Sequence, residues 1–527
     1  MMQKENNVTD KKPREVRVAL SSMLFGGLIL VFGIWGSATV AADSSKSVER
    51  LIEETKKEAP PGSAADLRKK RLEQGEGYYR RYCQHCHGPE GRGKGNASPY
   101  LLPAPRNFHA GVFKFRSTKS LNLPLSEDLF RTIKNGLPGT AMPGWGEVLP
   151  DDVIWALVEY IKTFSKRFQM ERPEQGFDPG LEPPLDLLSL RKGESLYREL
   201  RCFRCHGDDG ARTGPLKGQL EDHWGNLSLV YDINQPRFYK GGAAGLDIFR
   251  TLTTGMDGTA MGTYDFLRAD ERWHLTHFLQ SHFKGEHIRL SETVNPEVLV
   301  AREVDGLIDF SVDHPLWQTV APVRVALHSL RIRTAPAAIV EIRSLRNAKS
   351  IAFHVEWSDP TPDKAFASAH FFLDAIALQF VERGDQNGNV PFFGMGEQGK
   401  PVNIWHWRAD AMQQVEHDGK STAGGEDETI RLSLDPFRRS PVEELNAEGF
   451  GRLSVQSLED QQVLGRGVWA GGRWRVVMIR NLKTPGPRDV QFEGTDSMLL
   501  AVALWDGSAK DKNASKAVSL WQSLKMK

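Results

Sequence analysis

The sequence predicts a multidomain chain in which two all-α modules are followed by an all-β sandwich. Three observations predict it. A five-residue cysteine pattern occurs twice, its surroundings repeat at a fixed offset, and the apolar period changes from helical to alternating beyond about residue 313. The 527 residues leave room for about three domains of ordinary size.

The paired pattern is Cys83-Gln84-His85-Cys86-His87 and Cys202-Phe203-Arg204-Cys205-His206, and it uses all 4 cysteines. In C-x-x-C-H the two thiols form thioethers to haem and the adjacent histidine becomes an axial iron ligand. Cys83, Cys86, Cys202 and Cys205 are therefore read as attachment points for two covalent c haems, with His87 and His206 on the irons. A zinc ribbon places its second cysteine pair roughly 15–20 residues on, whereas Cys202 follows Cys83 by 119. A redox dithiol has no need of the following histidine.

The repeat extends the reading. Tyr78 precedes Cys83 by 5 residues and Tyr197 precedes Cys202 by 5. Glu127-Asp128-Leu129-Phe130-Arg131-Thr132 matches Leu246-Asp247-Ile248-Phe249-Arg250-Thr251, and Gly139-Thr140-Ala141-Met142 matches Gly258-Thr259-Ala260-Met261, all at the 119-residue offset. Met142 and Met261 each follow their motif histidine by 55 residues. A thioether is a soft, neutral sixth ligand for haem iron, so both methionines are candidate ligands. The alternatives His85, His109, His223, His274, His277 and His282 lack that repeat.

Helices are expected at Gly75–Tyr82, after Pro150-Asp151-Asp152, and from about Asp270 to Phe283. A helix carrying C-x-x-C-H, a methionine loop and a closing helix resembles a class I cytochrome c domain, over residues 70–168 and 188–287. The chain divides into an export signal or N-terminal anchor (1–42), a leader (43–69), cytochrome c-like domain 1 (70–170), a linker (171–187), domain 2 (188–287), a second linker (288–313) and the sandwich (314–527).

Lys11, Lys12, Arg14 and Arg17 precede an uncharged run, 18–42, that ends in small residues. That order reads as an export signal, or as a membrane anchor if uncleaved. Both place the rest outside the cytoplasm, in the periplasm. A net charge of +1 gives no electrostatic support for nucleic-acid binding.

In the second half, Ile351, Phe353, Val355 and Trp357 alternate with Ala352, His354 and Glu356, Trp474, Val476 and Met478 alternate likewise, and Met498–Trp505 is continuously apolar. Turn signals such as Asn387-Gly388 and Gly471-Gly472 separate these runs. Several stretches resemble the haem-b-binding γ subunit found with ethylbenzene dehydrogenase and other type II members of the DMSO reductase family. They are Ile351-Ala-Phe-His-Val-Glu-Trp357, Asp374-Ala-Ile-Ala-Leu378, Pro391-Phe-Phe-Gly-Met395-Gly, Pro401-Val-Asn-Ile-Trp-His-Trp407, Trp469-Ala-Gly-Gly-Arg-Trp474 and Ala503-Leu-Trp-Asp-Gly507. The resemblance covers about residues 314–525. It implies one non-covalent b haem held by Met395 and by Lys516, in Lys516-Ala-Val-Ser519-Leu-Trp521. Lys510 and Lys512 compete with Lys516, and His354 or His406 is the fallback. Unlike the usual γ subunit, this chain prefixes two c-type modules.

No nucleophile, general-base constellation, Walker loop or dinucleotide fingerprint is visible, so no catalytic residue is assigned. The resemblance implies an electron-transfer subunit partnered by an iron–sulfur subunit and a molybdopterin catalytic subunit. The complex would be nitrite oxidoreductase or nitrate-reductase-like, or another type II DMSO reductase family enzyme, exchanging electrons with a soluble or membrane carrier. Alternatives are a free-standing dihaem cytochrome with a ligand-binding sandwich, and a dihaem peroxidase or dehydrogenase.

Overall fold

The computed structural model describes residues 64–283, 298–309, 311–331, 338–364, 372–381, 390–411 and 440–526. The export segment, 18–42, lies outside them. Among the described residues no helix is long and apolar enough to cross a membrane.

Each α module is built on two crossing helices. Ala64–Tyr82 leads into the first motif and Asp151–Thr163 closes that module. Leu187–Glu199 and Ala269–Ser281 do the same in the second. The closing helix of the first module follows Pro150 and carries Asp151 and Asp152 in its first turn, where carboxylates complement the helix dipole. Val153, Ile154, Leu157, Val158 and Ile161 form its buried face. Asp186 caps the first helix of the second module by accepting from the Ser189 N–H at 2.8 Å. The crossing point is a glycine in both modules. A Cβ at Gly75 would fall 2.2 Å from the Ala156 carbonyl oxygen, and one at Gly193 would fall 2.1 Å from that of His274.

Both crossing helices are related by 118 residues, not by the 119 that relates the motifs. Arg201, an extra residue in the left-handed region (φ 58°) immediately before Cys202, makes the change at the motif, and the stretch from Met261 to Ala269 is one residue shorter than that from Met142 to Asp151, which restores the 118 offset. This corrects one sequence match. The counterpart of Tyr197 is Tyr79 and not Tyr78. The Tyr79 hydroxyl donates to the Gly88 carbonyl at 2.7 Å, and the Tyr197 hydroxyl donates to that of Gly207 at 2.6 Å.

The second half is strand-rich. Its strands are β1 (Leu299–Glu303), β2 (Val323–Ala326), β3 (His328–Ser329), β4 (Ile339–Arg346), β5 (Ser350–Ser358), β6 (Ala375–Val381), β7 (Val402–Arg408), β8 (Val442–Ala447), β9 (Leu453–Val455), β10 (Leu464–Ala470), β11 (Arg473–Asn481), β12 (Ser497–Trp505), β13 (Ala517–Val518) and β14 (Gln522–Met526). They pair in one ladder, β10-β11-β5-β4-β1-β14-β12-β6-β7-β8-β9, with β2, β3 and β13 off that path. The ladder curls over on itself. β5 is not hydrogen-bonded to β6 or β7, yet Phe353 meets Phe380 at 5.4 Å between ring centroids and Trp357 meets Trp407 at 6.3 Å. β1 lies within the stretch expected to be a connection and runs parallel to both β4 and β14.

Alternation along the strands positions the site. Ile376, Leu378 and Phe380 of β6, Trp405 and Trp407 of β7, and Leu500, Val502 and Leu504 of β12 enter the core between the layers. Ala377, Ile404, Ala503 and Trp505 belong to the opposite face. The segment containing Met395 and the side chain of Trp521 pack onto that outer face.

Candidate functional site

Three sites can be built from the described residues. At the first motif, Cys83 and His85 are buried, while Cys86 and His87 are half-buried. The His87 ring stacks on Phe108 at 4.5 Å between centroids, and its Nδ1 lies 3.0 Å from the Arg106 carbonyl oxygen. An N–H on Nδ1 would leave Nε2 as the free lone pair, the arrangement an axial ligand needs. Burial pushes His87 down to about 4 and the Cys86 thiol up to about 12, and it raises Cys83 further.

The methionine loops are the same device twice. Leu137 N–H donates to the Met142 carbonyl at 2.9 Å, and the Thr140 hydroxyl, itself donating to the Leu137 carbonyl at 2.7 Å, accepts from Met142 N–H at 3.1 Å. In the second module Met256, Thr259 and Met261 repeat these bonds at 3.0, 2.7 and 3.2 Å. Gly139 and Gly258 turn the loops at φ 71° and 78°, a region in which glycine has no Cβ penalty. Met142 packs on the cluster containing Cys83, and Met261 on the cluster flanked by Cys202. The structure thus brings each methionine to its own motif.

A cavity of about 940 Å³ at the second module is lined by Cys202, Cys205, His206, Met261 and Tyr264, among others. The backbone of Tyr231 lies beside His206, but no hydrogen bond closes to the buried Nδ1. A large cavity that joins two thiols, an imidazole and a thioether fits a haem.

On the outer face of the curled sheet, Met395 and Trp505 pack against one cluster of Ala377, Val402, Ile404, Leu445 and Ala447. Lys516 Nζ stands 4.7 Å from the centroid of the Trp505 ring. Lys516 is only 5% exposed, and burial pushes it down to about 8, toward the neutral amine that a metal ligand must be. Its competitors Lys510 and Lys512 are exposed. His354 points elsewhere: Nε2 lies 3.1 Å from the Val312 carbonyl and the ring packs on Trp317 at 5.2 Å. His406 stays close to the site, 5.0 Å from Trp505. Met395 holds a left-handed conformation, φ 81°, which is costly for a side chain with a Cβ. Gln379 fixes it there, accepting from Met395 N–H at 3.0 Å and donating to the Phe393 carbonyl at 2.9 Å. Nothing in the sequence pattern singles out Gln379. These donors, a thioether and a buried amine against an apolar, aromatic wall, fit a non-covalent haem.

The first module docks on this same face. Phe392 stacks on His85 at 4.9 Å, Tyr100 stacks on Phe450 at 4.6 Å, and Leu102 N–H donates to the Leu330 carbonyl at 3.3 Å. His85 Nδ1 lies 3.2 Å from Glu397, which Lys400 also pairs. Cys86, Ala141, Phe393 and Ala503 flank one apolar cluster of Ala97, Leu101, Leu330, Phe392 and Val518. The second module attaches to the first through Asp257, which accepts from Arg116 at 2.8 Å, from the Ser120 hydroxyl at 2.8 Å and from Leu121 N–H at 2.7 Å.

Comparison with known proteins agrees with this division. Residues 70–161 match the family described as cytochrome c oxidase, cbb3-type, subunit III, and residues 190–283 match cytochrome c. Two cytochrome c domains thus form the first half. Residues 314–517 match the ethylbenzene dehydrogenase family. The chain therefore joins two cytochrome c domains to an ethylbenzene dehydrogenase-type domain. A Haloferax mediterranei protein described as a respiratory nitrate reductase heme subunit is 26% identical over 251 residues, 44% of this chain and 77% of the relative. The chlorate reductase subunit gamma of Ideonella dechloratans is 26% identical over 215 residues, 39% of this chain and 76% of the relative. A chain from the reducing HAO-like protein complex of Kuenenia stuttgartiensis is 37% identical, with a TM-score of 0.39, over 40% of this chain and 96% of that one.

Proposed function

We propose that this chain is the electron-transfer subunit of a periplasmic molybdenum enzyme complex of the nitrate- or chlorate-reductase type, nitrite oxidoreductase included. It would carry two c haems and one b haem. The partners are an iron–sulfur subunit and a molybdopterin catalytic subunit on one side and an external carrier on the other. The names of the two curated relatives support the class of complex.

Bound haem supplies a one-electron couple, with potentials set by its axial ligands and surroundings. The chain's own residues do the rest. Cys83, Cys86, Cys202 and Cys205 attach the c haems, His87, Met142, His206 and Met261 ligate them, and Met395 and Lys516 ligate the b haem. Phe392, Phe393 and Val518 exclude water between the first module and the sandwich.

The observation that carries the reading is the shared apolar wall between Cys86 and the outer face of the sheet. It supports an order in which the first module stands between the other two sites. A Cys83→Ala/Cys86→Ala chain tests this by flash photoreduction. In the unaltered chain, reduction at the sandwich site should follow a phase whose rate does not depend on protein concentration. The variant should lose that phase. Its survival would overturn the proposed order of sites.

A further inference from the structure

The second module's cavity is not closed by that module alone. Arg106 and Lys114, both from the first module, line it together with Lys240. Each is half-buried by accessible area yet tightly surrounded by protein, as expected of side chains that face an internal cavity.

We propose that Arg106, Lys114 and Lys240 form a carboxylate-binding recess, built by both modules, for the propionate edge of the haem held at Cys202 and Cys205. The recess would raise that haem's reduction potential. The inference rests on the haem reading given above.

Lys114 repels Lys240, and Arg106 repels Lys114, so three cations crowd together where desolvation already disfavours each of them. Among the described residues, none of the three forms an ion pair. The nearest carboxylates are engaged elsewhere. Asp222 accepts from Asn226 and from Trp224 N–H at 2.9 Å, while Asp257 is taken by Arg116, Ser120 and Leu121. Aromatic faces hold the cations in place: Arg106 lies 4.7 Å over Trp224 and Lys240 lies 3.6 Å over Tyr231. Clustered, half-buried cations with no ion-pair partner lack only an anion. A haem is apolar apart from two carboxylates on one edge, and the cavity has a largely apolar lining with these three cations among its charged groups.

Arg106 also links the two sites. Its carbonyl receives His87 of the first module, while its guanidinium enters the cavity of the second. In the second module the backbone beside His206 belongs to Tyr231, the residue under Lys240. The first module therefore completes the second module's site.

Ferric haem carries one more positive charge than ferrous, so nearby cations favour reduction and their removal lowers the potential. Lys240→Gln and Lys114→Gln are the test, each in the full chain, by spectroelectrochemical titration. The second-module haem is identified as the one missing from a Cys202→Ala/Cys205→Ala chain. Each substitution should shift its reduction equilibrium about tenfold toward ferric, 59 mV for one electron, with the other two haems unmoved. Lys240→Arg should restore the value. Lys114→Gln alters no residue of the second module, so it keeps the test intact if Lys240→Gln misfolds. With haem attached, an unmoved potential, or an equal shift at both c haems, would overturn the recess. Absence of haem at Cys202 and Cys205 in the unaltered chain would instead overturn the haem reading itself.

Discussion

The contact between the first module and the sandwich is the most exacting prediction, because one aromatic ring carries much of it. Phe392 is 5% exposed and packs in a cluster with Ala97 and Leu101 on one side and Leu330 and Val518 on the other. Its ring stacks on His85, which is 6% exposed, at an interplanar angle of 27°. Phe392→Ala should cost about 3–5 kcal/mol, the range for deleting a buried phenylalanine. Much of that loss belongs to the sandwich's own packing. The part that belongs to docking is isolated by a double-mutant cycle with His85→Ala. A stacked aromatic pair contributes about 0.5–1.5 kcal/mol beyond area burial, so the two losses should fall short of additivity by that amount. Urea unfolding followed by circular dichroism, with c-haem content checked in each variant, measures all four corners. Strict additivity would mean that the rings do not meet in solution, and the shared wall would lose its support.

Lys516→Ala should convert the b haem from a low-spin to a high-spin spectrum and let it dissociate on dialysis, whereas Lys510→Ala, at an exposed position, should leave the spectrum unchanged. Gly75→Ala and Gly193→Ala each drive a methyl group into a backbone carbonyl. Each should destabilise its module by about 1–3 kcal/mol or more, read as a lower thermal midpoint with lower haem incorporation. Asp359, Asp374 and Asp506 place carboxylate oxygens within 4.8 Å of one another. Burial and mutual repulsion hold Asp359 and Asp374 well above the usual carboxylate range. The folded chain then binds more protons than the unfolded one above about pH 4, so this pair makes stability fall as pH rises toward neutrality. Asp359→Asn should flatten that slope, by about 1 kcal/mol or more between pH 5 and 7.5, and equal slopes in calorimetry would refute it.

Covalent chemistry makes the proposed c-haem sites legible in the sequence. Thioether attachment needs both cysteines and the histidine within five residues, and duplication showed which methionine belongs to each motif. The b site was not readable that way. Its proposed donors, Met395 and Lys516, lie 121 residues apart; Met395 packs on the same cluster as Trp505 of β12, and Lys516 lies over the Trp505 ring. Family resemblance supplied them, and burial separates Lys516 from Lys510 and Lys512. Tyr78 was paired with Tyr197 because a fixed offset cannot register one inserted residue, Arg201. Gln379, Phe392, Arg106, Lys114 and Lys240 act through contacts between segments distant in sequence, and no local spacing announces such contacts. β1 is not legible in the sequence because a five-residue strand, Leu299–Glu303, is too short to establish a period.

Haem content is the most direct measurement of the central claim. A pyridine haemochrome spectrum of the purified chain, combined with the intact mass after acid extraction, separates covalent from extractable haem. Two c haems should remain on the polypeptide and one b haem should leave it. Two c haems with no extractable haem would contradict that claim and return the second half of the chain to a ligand-binding sandwich.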